Sequence, residues 1–232
     1  MPEEKAKVLV LGDSHSVALK AGCDAVGLTA ELLSFSGNFW HAGHIVSHRR
    51  FGLWARGAAL QARITDSLKR LGRANLFGPD LVVLGSFGFH LGRIAPILGV
   101  KGHRANGEEF LADASTQFAS SAVVSAYVQA FRSPHLNIMR RISQQSPMVL
   151  VTPPRFSHDS SNHQSCFDAI KAGIQAADIP CYDPCIDLFS PSGVLPAVMV
   201  TPDGVHGNAD YGAMVVRRLI EKGVLPQPGG GD

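Results

Sequence analysis

The sequence has few cysteines, little net charge and no long apolar run, and each shortage excludes a class of protein. Four cysteines among 232 residues are too few for a disulfide-stapled scaffold, and we expect reduced thiols. A formal net charge of +2, with the arginines in scattered pairs, gives no basic stripe for nucleic acid. No apolar run approaches the roughly 20 residues that cross a bilayer.

The ends of the chain are polar. Residues 1–5 are followed by only four consecutive apolar residues, which does not fit a secretory signal, so we expect a cytoplasmic protein with neither membrane nor nucleic acid as partner. With 45% hydrophobic residues, the chain can bury a substantial core. We expect one domain over residues 1–225 and a flexible tail, rich in proline and glycine, over residues 226–232.

Apolar runs that predict strands alternate with longer stretches of helical periodicity. The predicted strands cover residues 7–11, 31–35, 81–84, 148–152 and 180–182. The predicted helices cover residues 17–25, 53–71, 123–145, 161–177 and 209–222, with a break or kink at Pro134. The alternation predicts an α/β fold, a three-layer α/β/α sandwich around a five-stranded parallel, doubly wound, flavodoxin-like sheet. Residues 91–118 lack periodicity and are predicted to form an insertion near the site.

Sheets of this kind bind ligands beyond the carboxyl ends of their strands, so the turns after the strands carry the candidate chemistry. The first strand is followed by Gly12-Asp13-Ser14, which leaves a serine hydroxyl at its carboxyl end. A serine needs an imidazole to take its proton and a carboxylate to fix the imidazole tautomer. Asp203-Gly204-Val205-His206, just before the last predicted helix, supplies both groups.

These motifs resemble those of the SGNH hydrolases, in the GDSL esterase and lipase superfamily. The matching pieces are Gly12-Asp13-Ser14, a glycine at Gly37 after the second strand, and the Asp203 and His206 pair. The resemblance implies that Ser14 is the nucleophile, His206 the base and Asp203 its orienting carboxylate. It also implies that the backbone amides of Ser14 and Gly37 stabilise the oxyanion, and it implies no cofactor.

One motif departs from the family pattern. The family carries Gly-x-Asn-Asp after the third strand, where this sequence has Gly85-Ser86-Phe87-Gly88-Phe89-His90. One alignment puts Phe87 at the asparagine position, and the other puts His90 there. We favour His90, because an imidazole N–H can donate to an oxyanion. Asn38, beside Gly37, is a further candidate for the missing donor.

The sequence contains two other candidate sites. Asp13 occupies the place of a phosphoacceptor in some flavodoxin-like proteins, but Gly85 stands where a second carboxylate is needed, so a role in capping the turn is favoured. The spacing of His41, His44 and His48 is that of metal ligands on one helix face. Gly43 lies within that group and no acidic residue is close, so we expect no metal site.

The function expected from these residues is that of a serine esterase. The tetrapeptide Gly-Asp-Ser-His resembles SGNH domains associated with O-acyl groups on bacterial polysaccharides, so the expected substrate is a short acyl ester, such as an O-acetyl group, on a small molecule or carbohydrate. Two alternatives stay open. One is an O-acyltransferase that uses the same serine, and the other is a non-catalytic carbohydrate-binding protein, which the missing asparagine favours.

Overall fold

A five-stranded parallel sheet forms the centre of the protein in this computed structural model, which describes residues 6–90, 103–104, 107–112, 117–159 and 161–229. The strands are β1 (Val8–Gly12), β2 (Ala30–Ser34), β3 (Ile45–His48), β4 (Gly52–Ala55), β5 (Val82–Ser86), β6 (His103–Arg104), β7 (Gln117–Phe118), β8 (Met148–Val151) and β9 (Cys181–Tyr182). The central sheet has the order β2-β1-β5-β8-β9, which is the predicted flavodoxin-like order. The other strands form two small pairs, β3 with β4 and β6 with β7.

Helices cover both faces of the central sheet. They are α1 (Ser16–Ala25), α2 (Gly37–His41), α3 (Ala58–Leu71), α4 (Gly107–Ala112), α5 (Ser121–Ser143), α6 (Ser161–Gln175), α7 (Pro184–Leu188) and α8 (Ala209–Glu221), with a 3₁₀ turn at Ala197–Met199. In β1, Val8 and Val10 pack with α1 and α8, while Leu9 and Leu11 pack with α3, α5 and α6. Successive side chains of a strand point to opposite faces, so a strand covered on both faces is continuously apolar. The three-layer α/β/α fold is confirmed.

A close crossing of α1 and α8 joins the two ends of the chain. A Cβ atom on Gly212 would lie 1.8 Å from the carbonyl oxygen of Ala18, and one on Gly22 would lie 2.2 Å from the carbonyl oxygen of Gly212. The two helix backbones are therefore in direct contact. Since α1 starts two residues after Ser14 and α8 starts three residues after His206, this contact sets the separation of those two side chains.

The structure corrects two helix predictions. Residues 53–57 do not belong to α3, because Leu53 and Ala55 are buried on alternate positions of β4 and Gly57 adopts a φ of 105° before the helix starts. We expected a break or a kink at Pro134; α5 continues through Pro134, so the helix is not broken there, and the kink stays a prediction. The carbonyl of Ala130, which proline deprives of its helical partner, accepts a hydrogen bond from the Ser133 hydroxyl at 2.9 Å.

The predicted insertion at residues 91–118 lies mostly outside the described residues, which include only β6, α4 and β7 of it. Within the described ranges, no helix combines the length and apolar character needed to cross a membrane.

Candidate active site

Ser14 lies exposed in the turn between β1 and α1, at the carboxyl edge of the sheet. The turn is fixed to both neighbouring strands: Asp13 N–H donates to the Ser86 carbonyl at 2.8 Å, and the Asp13 carbonyl accepts from the Ser34 hydroxyl at 2.8 Å. Gly12 permits this approach, because a Cβ atom there would lie 2.2 Å from the Ser86 oxygen. The serine is thus presented on a rigid support.

His206 bridges Ser14 and Asp203. Its Nε2 lies 2.7 Å from Ser14 Oγ, and its Nδ1 lies 2.7 Å from Asp203 Oδ2. The carboxylate accepts the Nδ1–H, which leaves Nε2 free to accept the serine proton. Hydrogen bonds from Thr201 Oγ1 at 2.5 Å and Val205 N at 3.0 Å, together with that from His206, hold the pKa of Asp203 well below its usual range. Asp203 therefore stays ionised while it orients the ring.

The segment that carries Asp203 and His206 is a closed turn. Thr201 N–H donates to the His206 carbonyl at 2.9 Å, and Gly204 N–H donates back to the Thr201 carbonyl at 3.0 Å. Gly204 has a φ of 76°, a conformation that favours glycine. Asn208 then caps α8 by accepting from Tyr211 N at 3.1 Å. The position of His206 is therefore fixed by the turn before it and by the capped start of α8 after it.

Two buried titratable groups flank the serine. Burial raises the pKa of Asp13 to about 7, against an opposing hydrogen bond from His15 N to Asp13 Oδ1 at 3.1 Å. Burial also lowers the pKa of His15 to about 3, so this imidazole is neutral at pH 7, and its ring centre lies 4.8 Å from that of His206. Asp13 holds the turn as expected, and β5 ends beside it at Gly85 and Ser86 with no second carboxylate.

The backbone amides of Ser14 and Gly37 follow the carboxyl ends of the neighbouring strands β1 and β2. Gly37 is the first residue of α2, which Ser36 caps with its hydroxyl. Within the described ranges, neither the Gly37 amide nor the Ser14 amide has a hydrogen-bond partner. Trp40 anchors α2 to the end of β1 by donating from Nε1 to the Gly12 carbonyl at 3.1 Å. The role of the Ser14 and Gly37 amides as oxyanion donors stays a prediction from the resemblance.

Of the two candidates in the turn after β5, His90 is the one whose side chain lies against Gly37. Phe87 is fully buried and stacks on Trp40 with ring centres 4.5 Å apart. His90 lies over Gly37, where a Cβ atom would be 2.6 Å from His90 Cδ2. Gly88, with a φ of 92°, allows the chain to turn between them. Asn38, the other candidate donor, lies exposed on α2.

The three spaced histidines do not share a helix face. α2 ends at His41 and β3 starts at Ile45, so the helical interpretation of their spacing is wrong. His48 stacks on Phe51 with ring centres 5.0 Å apart, on a different element from His41. In the part of the chain that the structure describes, no cluster of three or more histidine, cysteine or acidic side chains is arranged to hold a metal ion.

Sequence reasoning missed a buried cation behind His90. Arg132 of α5 has 3% of its surface exposed, donates from Nη2 to the His90 carbonyl, and places Nη1 2.5 Å from His41 Nδ1. Burial lowers the pKa of Arg132 to about 10. A signal was present: Arg132 follows Val124 and Val128 at four-residue spacing, on the apolar face of the helix.

Two openings adjoin the Ser14 and His206 pair. An open groove of about 480 Å³ runs along α1 and includes Ser14 and His206 themselves. A second cavity, of about 160 Å³, is lined by His15 and Val205, the chain neighbours of Ser14 and His206. Its walls combine imidazole, charged and aromatic side chains, among them His15, His90, Arg155, His158, Phe156 and Phe167.

The sequence matches no protein-family model and no curated protein. Its structure is similar to that of a lipase/acylhydrolase from Enterococcus faecalis, with 16% identity, a TM-score of 0.40, and coverage of 93% of this chain and 96% of that chain. It is also similar to a GDSL-like lipase from Bacteroides thetaiotaomicron, with 12% identity, a TM-score of 0.41, and coverage of 97% and 90%. At these values the assignment of function rests on the geometry of the site.

Proposed function

We propose that the protein is a serine ester hydrolase. The observation that carries the proposal is the pair of 2.7 Å contacts that join Ser14, His206 and Asp203 in line at the carboxyl edge of the sheet. A serine, an imidazole and a carboxylate in this relation are the groups that acyl transfer through a covalent intermediate requires.

In the first half of the reaction, Ser14 Oγ forms a bond to the ester carbonyl carbon while its proton passes to His206 Nε2. The tetrahedral intermediate then collapses, the carbon–oxygen bond to the alcohol breaks, and His206 returns the proton to the departing alkoxide. In the second half, water attacks the acyl-Ser14 ester in the same way and releases the acid. Asp203 stabilises the imidazolium in both halves.

The negative charge on the carbonyl oxygen needs donors. We assign the backbone amides of Ser14 and Gly37 to this role, supported by their lack of other partners in the described residues. We assign the third donor to His90, because its ring packs on Gly37. Phe87 is fully buried against Trp40 and has no polar group to donate. Each such donor contributes about 100- to 1,000-fold to turnover in enzymes of this type.

The substrate we propose is a short acyl ester, such as an O-acetyl group, on a carbohydrate or other polar alcohol. The cavity of about 160 Å³ supports this choice, because it is smaller than the groove of about 480 Å³ that contains Ser14 and suits a small group better than a long acyl chain. Aromatic and polar walls such as Phe156 and His158 suit a hydroxylated ligand. The open groove along α1 leaves room for the rest of the substrate.

Steady-state hydrolysis of p-nitrophenyl acetate and of an O-acetylated oligosaccharide tests this proposal. We expect Ser14→Ala to lower kcat by about ten-thousand-fold or more, while Ser143→Ala, an exposed serine at the end of α5, leaves it unchanged. Equal activity of Ser14→Ala and the wild type would overturn the proposal. Mass spectrometry of the products in the presence of a sugar acceptor separates hydrolysis from acyl transfer, since only transfer yields an acylated acceptor.

A further inference from the structure

Arg132 connects two segments of the candidate site that are far apart in sequence. Its guanidinium donates to the carbonyl of His90, at the end of the turn after β5. It also contacts His41, at the end of α2, whose Nδ1 must be unprotonated to accept from an arginine N–H. α2 begins at Gly37, so one side chain ties together the two segments assigned to the oxyanion donors.

This cation is buried with little compensation. Arg132 takes part in no ion pair with a carboxylate in the described part of the chain, and its Nε has no hydrogen-bond partner. His135, one turn further along α5, is also buried, and burial lowers its pKa to about 4, so it adds no charge at pH 7. Burying an unpaired charge costs several kcal/mol, so an apolar side chain would suit this position better if packing were its only role.

The positive charge of Arg132 influences the turn that carries Ser14. Burial raises the pKa of Asp13, the residue before Ser14, and Arg132 is among the charges that oppose that rise. The charge of the guanidinium is thus felt, as the smallest of these influences, at the turn that carries Ser14. Fixed charges in a water-poor environment are the groups that stabilise a developing negative charge most strongly.

We propose that Arg132 is a positioning residue for the oxyanion hole: it holds His90, the donor assigned in place of the asparagine missing after β5, against Gly37, and it supplies positive charge behind both residues. The proposal rests on the esterase function proposed above. Arg132 contacts no reacting atom, so it acts by holding His90 and α2 in place and through its charge.

The test compares Arg132→Met, Arg132→Lys and the control Arg140→Met, an exposed arginine on the same helix. For each variant, kcat and KM are measured on p-nitrophenyl acetate, together with the inhibition constant of a boronic acid that forms a tetrahedral adduct with serine. We expect Arg132→Met to lower kcat by about 100-fold with KM within threefold, and to weaken boronate binding by a similar factor. Arg132→Lys should recover about tenfold, because it keeps the charge but loses the forked contact.

A kcat within threefold of the wild type in Arg132→Met would overturn the proposal, as would a rise in KM with kcat and boronate binding unchanged. If Arg132→Met does not fold, His41→Phe decides, since it removes the contact to α2 and keeps the arginine. A roughly tenfold loss of kcat then supports the proposal, and an unchanged kcat refutes it. Inactivity of the wild type and Arg140→Met alike would instead refute the esterase function itself.

Discussion

The buried carboxyl of Asp13 leads to a prediction about stability. Asp13 is 3% exposed, and burial raises its pKa from 3.8 to about 7. The folded protein therefore binds this proton more tightly than the unfolded chain, and stability falls as pH rises between those two values. A rise of about three pKa units corresponds to ~4 kcal/mol at about 1.4 kcal/mol per unit, and the full loss is reached above pH 7.

Asp13→Asn removes this proton while its side-chain oxygen still accepts from His15 N. We expect the variant to match the wild type in free energy of unfolding near pH 4 and to exceed it by up to ~4 kcal/mol at pH 8. Urea unfolding at several pH values measures the difference. The depressed pKa of His15 has the opposite sign, since it destabilises the fold as pH falls below its unfolded value, but it is common to both proteins.

Asp24→Asn, an exposed carboxylate of α1, is the control for removing a negative charge from the same region. A difference between Asp13→Asn and the wild type that is constant from pH 4 to pH 8 would refute the burial argument. So would a variant that becomes less stable than the wild type as pH rises.

Three further substitutions test the site and its support. Asp203→Asn should lower kcat by about ten-thousand-fold in steady-state assays, because an amide favours the wrong His206 tautomer, and a loss below tenfold would contradict this role. Gly37→Ala should lower kcat by about 10- to 100-fold, since its Cβ would lie 2.6 Å from the His90 ring, and an unchanged kcat would count against the donor assignment. Gly212→Ala should reduce the free energy of unfolding by ~3 kcal/mol in urea titrations, because its methyl group forces α1 and α8 apart. A variant as stable as the wild type would contradict the direct contact between the two helix backbones.

The central sheet could be predicted from sequence because its strands are buried on both faces. A strand of this kind is a short continuous apolar run, as in β1, and the predicted limits lie within two residues of the observed ones. The β3–β4 hairpin could not be predicted in the same way. Leu53 fits the helical spacing with Leu60 as well as the two-residue period of β4, and only pairing with β3 decides between the two.

The part of the candidate site that could be predicted from sequence is the part formed by short local motifs. Ser14 and the Asp203–His206 pair stand at turns that short sequences specify, and the order of the strands implies that such turns meet at one edge. The contact between Arg132 and His90 joins residues 42 positions apart through the packing of α5 on the turn after β5. A contact of that kind depends on tertiary structure, and helical periodicity alone indicates only that Arg132 faces inward.

The central claim is that His206 activates Ser14 as a nucleophile, and covalent labelling of the intact protein tests it most directly. We predict that a fluorophosphonate adds one adduct to the wild type, detected by intact mass, and that peptide mapping places it on Ser14. Ser14→Ala should take up no adduct, and His206→Ala should react at least about 100-fold more slowly, because the serine then lacks its base. An unlabelled wild-type protein, or labelling that persists in Ser14→Ala, would contradict the account.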